Sequence, residues 1–135
     1  MNENKATTNT NRTDTSRSIG CNLNLDYLIE LSGGDKEFIA EIVDMFIVDA
    51  PEVLRQSQTY LKNEDFELLK ITVHKLKSSV QIMGNMELAG LIQTIENNAA
   101  NPEMHSTLAE LLINMNKEVT TMVEYLKQEK PNLLG

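Results

Sequence analysis

The sequence predicts an all-α fold, an antiparallel up-and-down four-helix bundle led by one short extra helix. Three observations predict it. Apolar residues recur every three or four positions through four long segments. Asn, Asp, Gly and Pro punctuate those segments where helices would begin and end. No window sustains the strict alternation of a half-buried strand. Composition agrees: with 41% hydrophobic but only 4% aromatic residues and no Trp, Leu, Ile, Val and seven Met must fill the interior, which suits helix-on-helix packing.

At 135 residues the chain is long enough to bury a real core, but too short to add a kinase and its nucleotide site. The reading is one domain, residues 21–130, after a disordered tail, residues 1–20, whose Asn, Thr, Ser, Arg and Asp offer almost nothing to bury. Asn24 can cap a short helix, Leu25 to Leu31, that ends at Gly33 and Gly34 and lids the bundle. Asp35 caps the next helix, about 36–61, with Phe38, Ile39, Ile42, Val43, Met45 and Phe46 as a broad apolar face. Pro51 removes one backbone donor, yet Ala50, Val53, Leu54 and Leu61 keep the same phase, so one kinked helix is expected rather than two.

Asn63 is the expected cap of a third helix, with Glu64 and Asp65 placing negative charge at its positive end, and Gly84 ends it. Asn85 starts a fourth, in which Leu88, Leu91, Ile92, Ile95 and Ala99 repeat at helical spacing until Asn101-Pro102. The fifth carries Met104, Leu108, Leu111, Met115, Val119, Met122 and Leu126, with Lys130-Pro131 closing the fold. Its methionines lie in phase with the leucines, which marks them as core filling rather than a peptide groove.

The stretch Thr72 to Gly84 carries the chemistry. Phe66, Leu69, Val73, Leu76, Val80 and Met83 fall on one narrow stripe that must be buried. His74 lies about 130° from the centre of that stripe and should face water. Residues three or four apart on a helix can touch, so His74 has Lys70 one turn before it, Lys77 and Ser78 one turn after, and Gln81 a turn beyond. The pattern is an exposed nucleophile among cations. Positive neighbours favour the neutral, nucleophilic imidazole; the same ammonium groups can hold the oxygens of a phosphoryl group. The small Ser78 leaves room for another protein to approach.

Other chemistries find little support. A formal charge of −8 and a pI near 4.7, with no basic run, would repel a phosphate backbone, so direct nucleic-acid binding is not expected. The single Cys21 cannot close an internal disulfide, and no Cys/His spacing suits zinc. Di-iron bundles need Glu-x-x-His pairs, but Ile71 and Pro102 stand three residues before His74 and His105. His105 reads as a solvated surface residue. Ser78 and Ser79 lack an acidic residue within a turn of His74 and a Gly-rich turn for an oxyanion hole, and there is no nucleotide-binding Gly-x-x-x-x-Gly-Lys-Ser loop. No signal-peptide core opens the sequence, and its most apolar segment, Phe38 to Val48, is broken by Glu41 and Asp44. A cytoplasmic protein without a cofactor or metal of its own is the expectation.

The run His74-x-Leu76-Lys77-Ser78-Ser79-x-x-x-Met83-Gly84, followed by Leu88, Leu91, Ile95 and Glu96, resembles the signature of histidine-containing phosphotransfer (HPt) domains of two-component phosphorelays. Upstream, Asp26 to Leu54 is similar to the front half of such domains, so the resemblance spans roughly residues 22 to 128. Ser78 stands where the family more often has glycine, and Ile92 where many members carry cysteine. The resemblance implies that His74 accepts a phosphoryl group on Nε2, that Lys77 steadies it with Lys70 and Gln81, and that Mg²⁺ is supplied by the partner. It further implies a monomeric phosphocarrier, not an enzyme, passing phosphate between receiver-domain aspartates of a hybrid sensor kinase and a response regulator. The alternative is a helical adaptor that binds a receiver or kinase domain through the same face without carrying phosphate. Glu96 matches an acidic position of the family's second helix motif, and by itself reads as closing a helix face with Asn97 and Asn98.

Overall fold

Short polar side chains set where each helix starts in the computed structural model, which describes residues 23–134. The tail expected over residues 1–20, the domain start at residue 21 and Cys21 lie outside the described residues. Helix α1 spans Asp26–Ser32. Asn24 serves it from one position further out than a cap: Leu25 is the cap residue, and the Asn24 side chain accepts from the Asp26 amide at 3.1 Å. Helix α2, Lys36–Lys62, is capped by Asp35, whose carboxylate accepts from the amides of Glu37 and Phe38. It runs through Pro51 without a break, with Ala50 buried and Val53 and Leu54 half-buried on either side of the missing donor.

The start of α3, Phe66–Ile82, corrects the sequence reading. Asn63 ends α2, its amide bonded to Thr59, and Asp65 caps α3 by accepting from the Leu68 amide at 3.3 Å. The cause is Glu64, whose φ of 57° reverses the chain and leaves Asp65 as the first residue able to cap. At the other end Gly84, at φ 79°, turns the chain into α4, Met86–Ala99, capped by Asn85 through the Leu88 amide at 3.1 Å.

Asn101 then caps a 3₁₀ turn, Pro102–Thr107, before α5, Leu108–Leu134. The long fifth helix thus begins later than Met104, which stays partly exposed, and it also ends later than expected. Pro131 sits in its last turn, where it removes one backbone donor and only three helical residues follow it.

The helices α2 to α5 pack as a closed ring, each against its sequence neighbours and α5 back against α2. Short turns make every neighbouring pair antiparallel, the up-and-down bundle that the periodicity predicts. Leu69, Val73, Leu76 and Val80 of α3, with Met83 just past its end, share one core with Leu88, Ile92 and Ile95 of α4 and with Met115, Val119, Met122 and Leu126 of α5. On α2 the face is narrower than expected: Ile39, Val43 and Phe46 are buried, but Met45 is 58% exposed. Helix α1 closes one end through buried Leu28 and a backbone bond from the Asn24 amide to the Met83 carbonyl at 3.2 Å.

Candidate functional site

His74 projects from the middle of α3, opposite the buried stripe, with 59% of its side chain exposed. Because α3 and α4 lie side by side, a residue far along the sequence reaches it. Glu96 Oε1 of α4 is 2.8 Å from His74 Nδ1. A carboxylate can only accept, so the partner assigns a proton to Nδ1, and in the neutral ring the lone pair then lies on Nε2. Among the described residues Nε2 has no hydrogen-bond partner.

Glu96 is itself nearly buried, with 10% of its side chain exposed. Lys77, one turn beyond His74, folds back toward it: its Nζ is 2.9 Å from Glu96 Oε2 and 2.6 Å from Gln93 Oε1, which its N–H donates to. Oε2 makes no hydrogen bond of good geometry, so the ammonium compensates it mainly through charge. Gln93 is oriented in turn by donating from Nε2 to Asn97 at 2.9 Å. Burial pushes the Glu96 carboxyl up, but contact with Lys77 and His74 outweighs it and holds the group below the usual carboxylate range.

These contacts correct two expectations from the sequence. An acidic residue does orient His74, and Glu96 does more than close a helix face. The helical neighbourhood of His74 on α3 alone could not show this, because the partner comes from α4. Lys77 is also not an open cation beside the ring, since only 13% of its side chain is exposed. The open cations are Lys70 and Lys75, which with Ile71, Gln93 and Asn97 border a concavity of about 540 Å³ around His74. Lys70 has only a loose contact to Glu67 at 3.7 Å. Ser78 and Gln81 are exposed on the same helix, outside that concavity.

His105 departs from a solvated surface residue. Its ring stacks on Phe66 with 3.6 Å between centroids, and Nε2 donates to the Ala99 carbonyl at 2.8 Å. It tethers the end of α4, far in role from the reactive face. Among the described residues no cluster of three or more His, Cys, Asp and Glu side chains could hold a metal ion. Nor is any described helix long and apolar enough to cross a membrane.

The family model for the Hpt domain matches residues 41–129. The chain belongs to the Hpt-domain family. Among solved structures it is similar to the crystal structure of histidine-containing phosphotransfer protein B (HptB) from Pseudomonas aeruginosa PAO1, at 26% identity and a TM-score of 0.74, with 82% of this chain and 96% of that chain covered. No curated protein matches the chain. Membership of the Hpt-domain family assigns the chain a histidine phosphotransfer role in phosphorelays.

Proposed function

We propose that His74 is the phosphoryl acceptor and that the protein carries this group between aspartates of receiver domains in a hybrid sensor kinase and a response regulator. The observation that carries the reading is the pairing of a solvent-open Nε2 with an Nδ1 anchored on Glu96. The Nε2 lone pair attacks phosphorus of the partner's aspartyl phosphate. As the P–N bond forms the P–O bond breaks, and its electron pair leaves with the aspartate carboxylate. The return step reverses these changes on a second receiver. The bundle contributes position and charge, while the Mg²⁺ that assists transfer belongs to the receiver.

Lys70 and Lys75 stand where they can meet the phosphoryl oxygens as point charges. Ser78 and Gln81 form the open ground on which a receiver seats. On the far side of Lys75, an apolar groove of about 440 Å³ between α2 and α3, with Ile42, Met45, Phe46, Val53 and Ile82, extends that ground. Exposed Met45 belongs to this shelf rather than to the core, which gives its departure from the expected face a use.

The test is label transfer from a phosphorylated receiver domain to the wild type and to His74→Gln. The variant should fold, because polar surface exchanges usually stay within about 0.5 kcal/mol, and should take no label. Label on the wild type should be lost in acid and kept in alkali, as a P–N bond requires. Label persisting on the variant, or surviving acid on the wild type, would remove His74 as the acceptor and favour an adaptor that docks on receivers without carrying phosphate.

A further inference from the structure

We infer that Lys77 acts through Glu96, as the counter-ion that keeps its carboxylate aimed at His74 Nδ1, and not as a ligand of the phosphoryl oxygens. The inference rests on the reading of His74 as acceptor and reassigns a residue within it. Lys77 Nζ is already engaged by Glu96 Oε2 at 2.9 Å and by Gln93 Oε1 at 2.6 Å, and its side chain is 13% exposed. Both of its partners lie on α4, on the Nδ1 side of the ring. Reaching a group on Nε2 would mean abandoning a nearly buried carboxylate, and a buried charge left without its partner is strongly unfavourable. Lys70 and Lys75 face no such penalty, since Lys70 meets Glu67 only at 3.7 Å and both border the open concavity.

The pair has a defined task in the chemistry. Before transfer the ring is neutral, with its proton on Nδ1 donated to Glu96 Oε1. When Nε2 attacks the acyl phosphate, the ring gains positive charge, the Nδ1 proton stays in place, and the carboxylate now faces a cation. On the return step the Nε2–P bond breaks, its electron pair goes back to Nε2, and the neutral ring is restored with no net proton transfer. A phosphorylated ring that keeps the Nδ1 proton is the better leaving group, so Glu96 holds the phosphoryl group in its transferable state. The charged groups that face the ring are Glu96 from α4 and Lys70, Lys75 and Lys77 from α3, with Gln93 and Asn97 as neutral neighbours. Lys77 keeps the one anion among them ionised and directed. Its pairing also explains why the carboxyl sits below its usual range despite burial.

A double-mutant cycle on the full chain tests this, using Glu96→Gln, Lys77→Met and the double variant. Each protein is phosphorylated with phosphoramidate and by a receiver domain charged with acetyl phosphate. Loss of phosphate is followed against pH by intact mass, and the attached isomer by ³¹P NMR. Glu96→Gln should slow the loss near neutral pH by about tenfold, as expected for a charge-assisted hydrogen bond replaced by a neutral one, and should shift the pH profile to lower pH. Lys77→Met should move both readouts in the same direction by less, and should add less than about twofold in the Glu96→Gln background. Nitrogen NMR of the unphosphorylated ring should show the Nδ1–H tautomer in the wild type and a mixture in both single variants.

Effects of the two substitutions that multiply would overturn the inference and return Lys77 to the phosphoryl oxygens. So would an unchanged tautomer in Lys77→Met. A wild type that takes no label from either donor would instead defeat the acceptor reading itself, and this inference with it.

Discussion

Glu96 Oε1 lies 2.8 Å from His74 Nδ1 although 22 positions of sequence separate the two residues. The contact exists because α3 and α4 pack side by side and antiparallel, so the exposed shoulder of one helix meets the nearly buried flank of the other. A lone α3 could present an imidazole, but it could not choose which nitrogen faces outward. Two helices are the smallest unit that does both.

The pairing of Glu96 with Lys77, and after it with His74, should leave a signature in the pH dependence of stability. The Glu96 carboxyl is held below its ordinary value of 4.5, so just below that value the unfolded chain binds more protons than the folded one. Stability therefore rises with pH through this window. The contribution is complete above about pH 5 and is lost as pH falls through the lowered folded value. Urea unfolding of the wild type and Glu96→Gln at a series of pH values should show a wild-type advantage that shrinks on acidification. An advantage that grew instead would mean that the carboxylate is not favourably paired in the folded state.

Ser78 is small and exposed one turn beyond His74, on the ground proposed for receiver docking. Ser78→Phe should leave thermal unfolding unchanged, since nothing packs there. It should slow transfer from a phosphorylated receiver by about tenfold or more, because displacement of reacting atoms by an ångström is enough to do so. Direct phosphorylation by phosphoramidate needs no docking and should be spared. Equal loss in both reactions would show that the substitution damages the imidazole's setting rather than the docking ground.

The bundle was legible in the sequence because each helix writes its own periodicity: the α3 stripe, the α4 repeat and the α5 repeat from Leu108 to Leu126 face the core, although Phe66, Leu91 and Leu111 reach it only half-buried and Leu112, outside the repeat as read, is fully buried. His74 was legible too, because exposure on a helix follows from angle alone. What stayed hidden came from contacts between helices. Nothing local tells Glu96 from any other polar residue late in α4, or shows that Lys77 turns back to Gln93. The caps failed where the backbone departed from the usual: Asn63 and Asp65 cap equally well by residue type, and the positive φ of Glu64 hands the role to Asp65. Pro131 misled because its meaning depends on how many helical residues follow it.

Gly84 and Gly90 separate backbone strain from helix propensity within one stretch of the chain. At Gly84, φ is 79°, and a Cβ would stand 2.0 Å from the Asn24 carbonyl oxygen. That oxygen is backbone, in the segment whose amide bonds Met83 and brings α1 over the end of the bundle, so the clash cannot be relieved by a side-chain turn. Gly84→Ala should therefore destabilise the fold by about 2–3 kcal/mol, through left-handed strain and a displaced α1. In a domain of this size that lowers the melting temperature by roughly 5–15 °C. Gly90, exposed in α4 with nothing near its Cβ position, should behave oppositely. Gly90→Ala should stabilise by about 0.5–1 kcal/mol, since alanine loses less backbone freedom in a helix. Both variants should retain the Nδ1–H tautomer of His74, because neither touches Glu96 or Lys77. Scanning calorimetry of the two proteins decides the matter: a Gly84→Ala variant as stable as the wild type would mean that α1 is not held on the bundle through Asn24 and Met83.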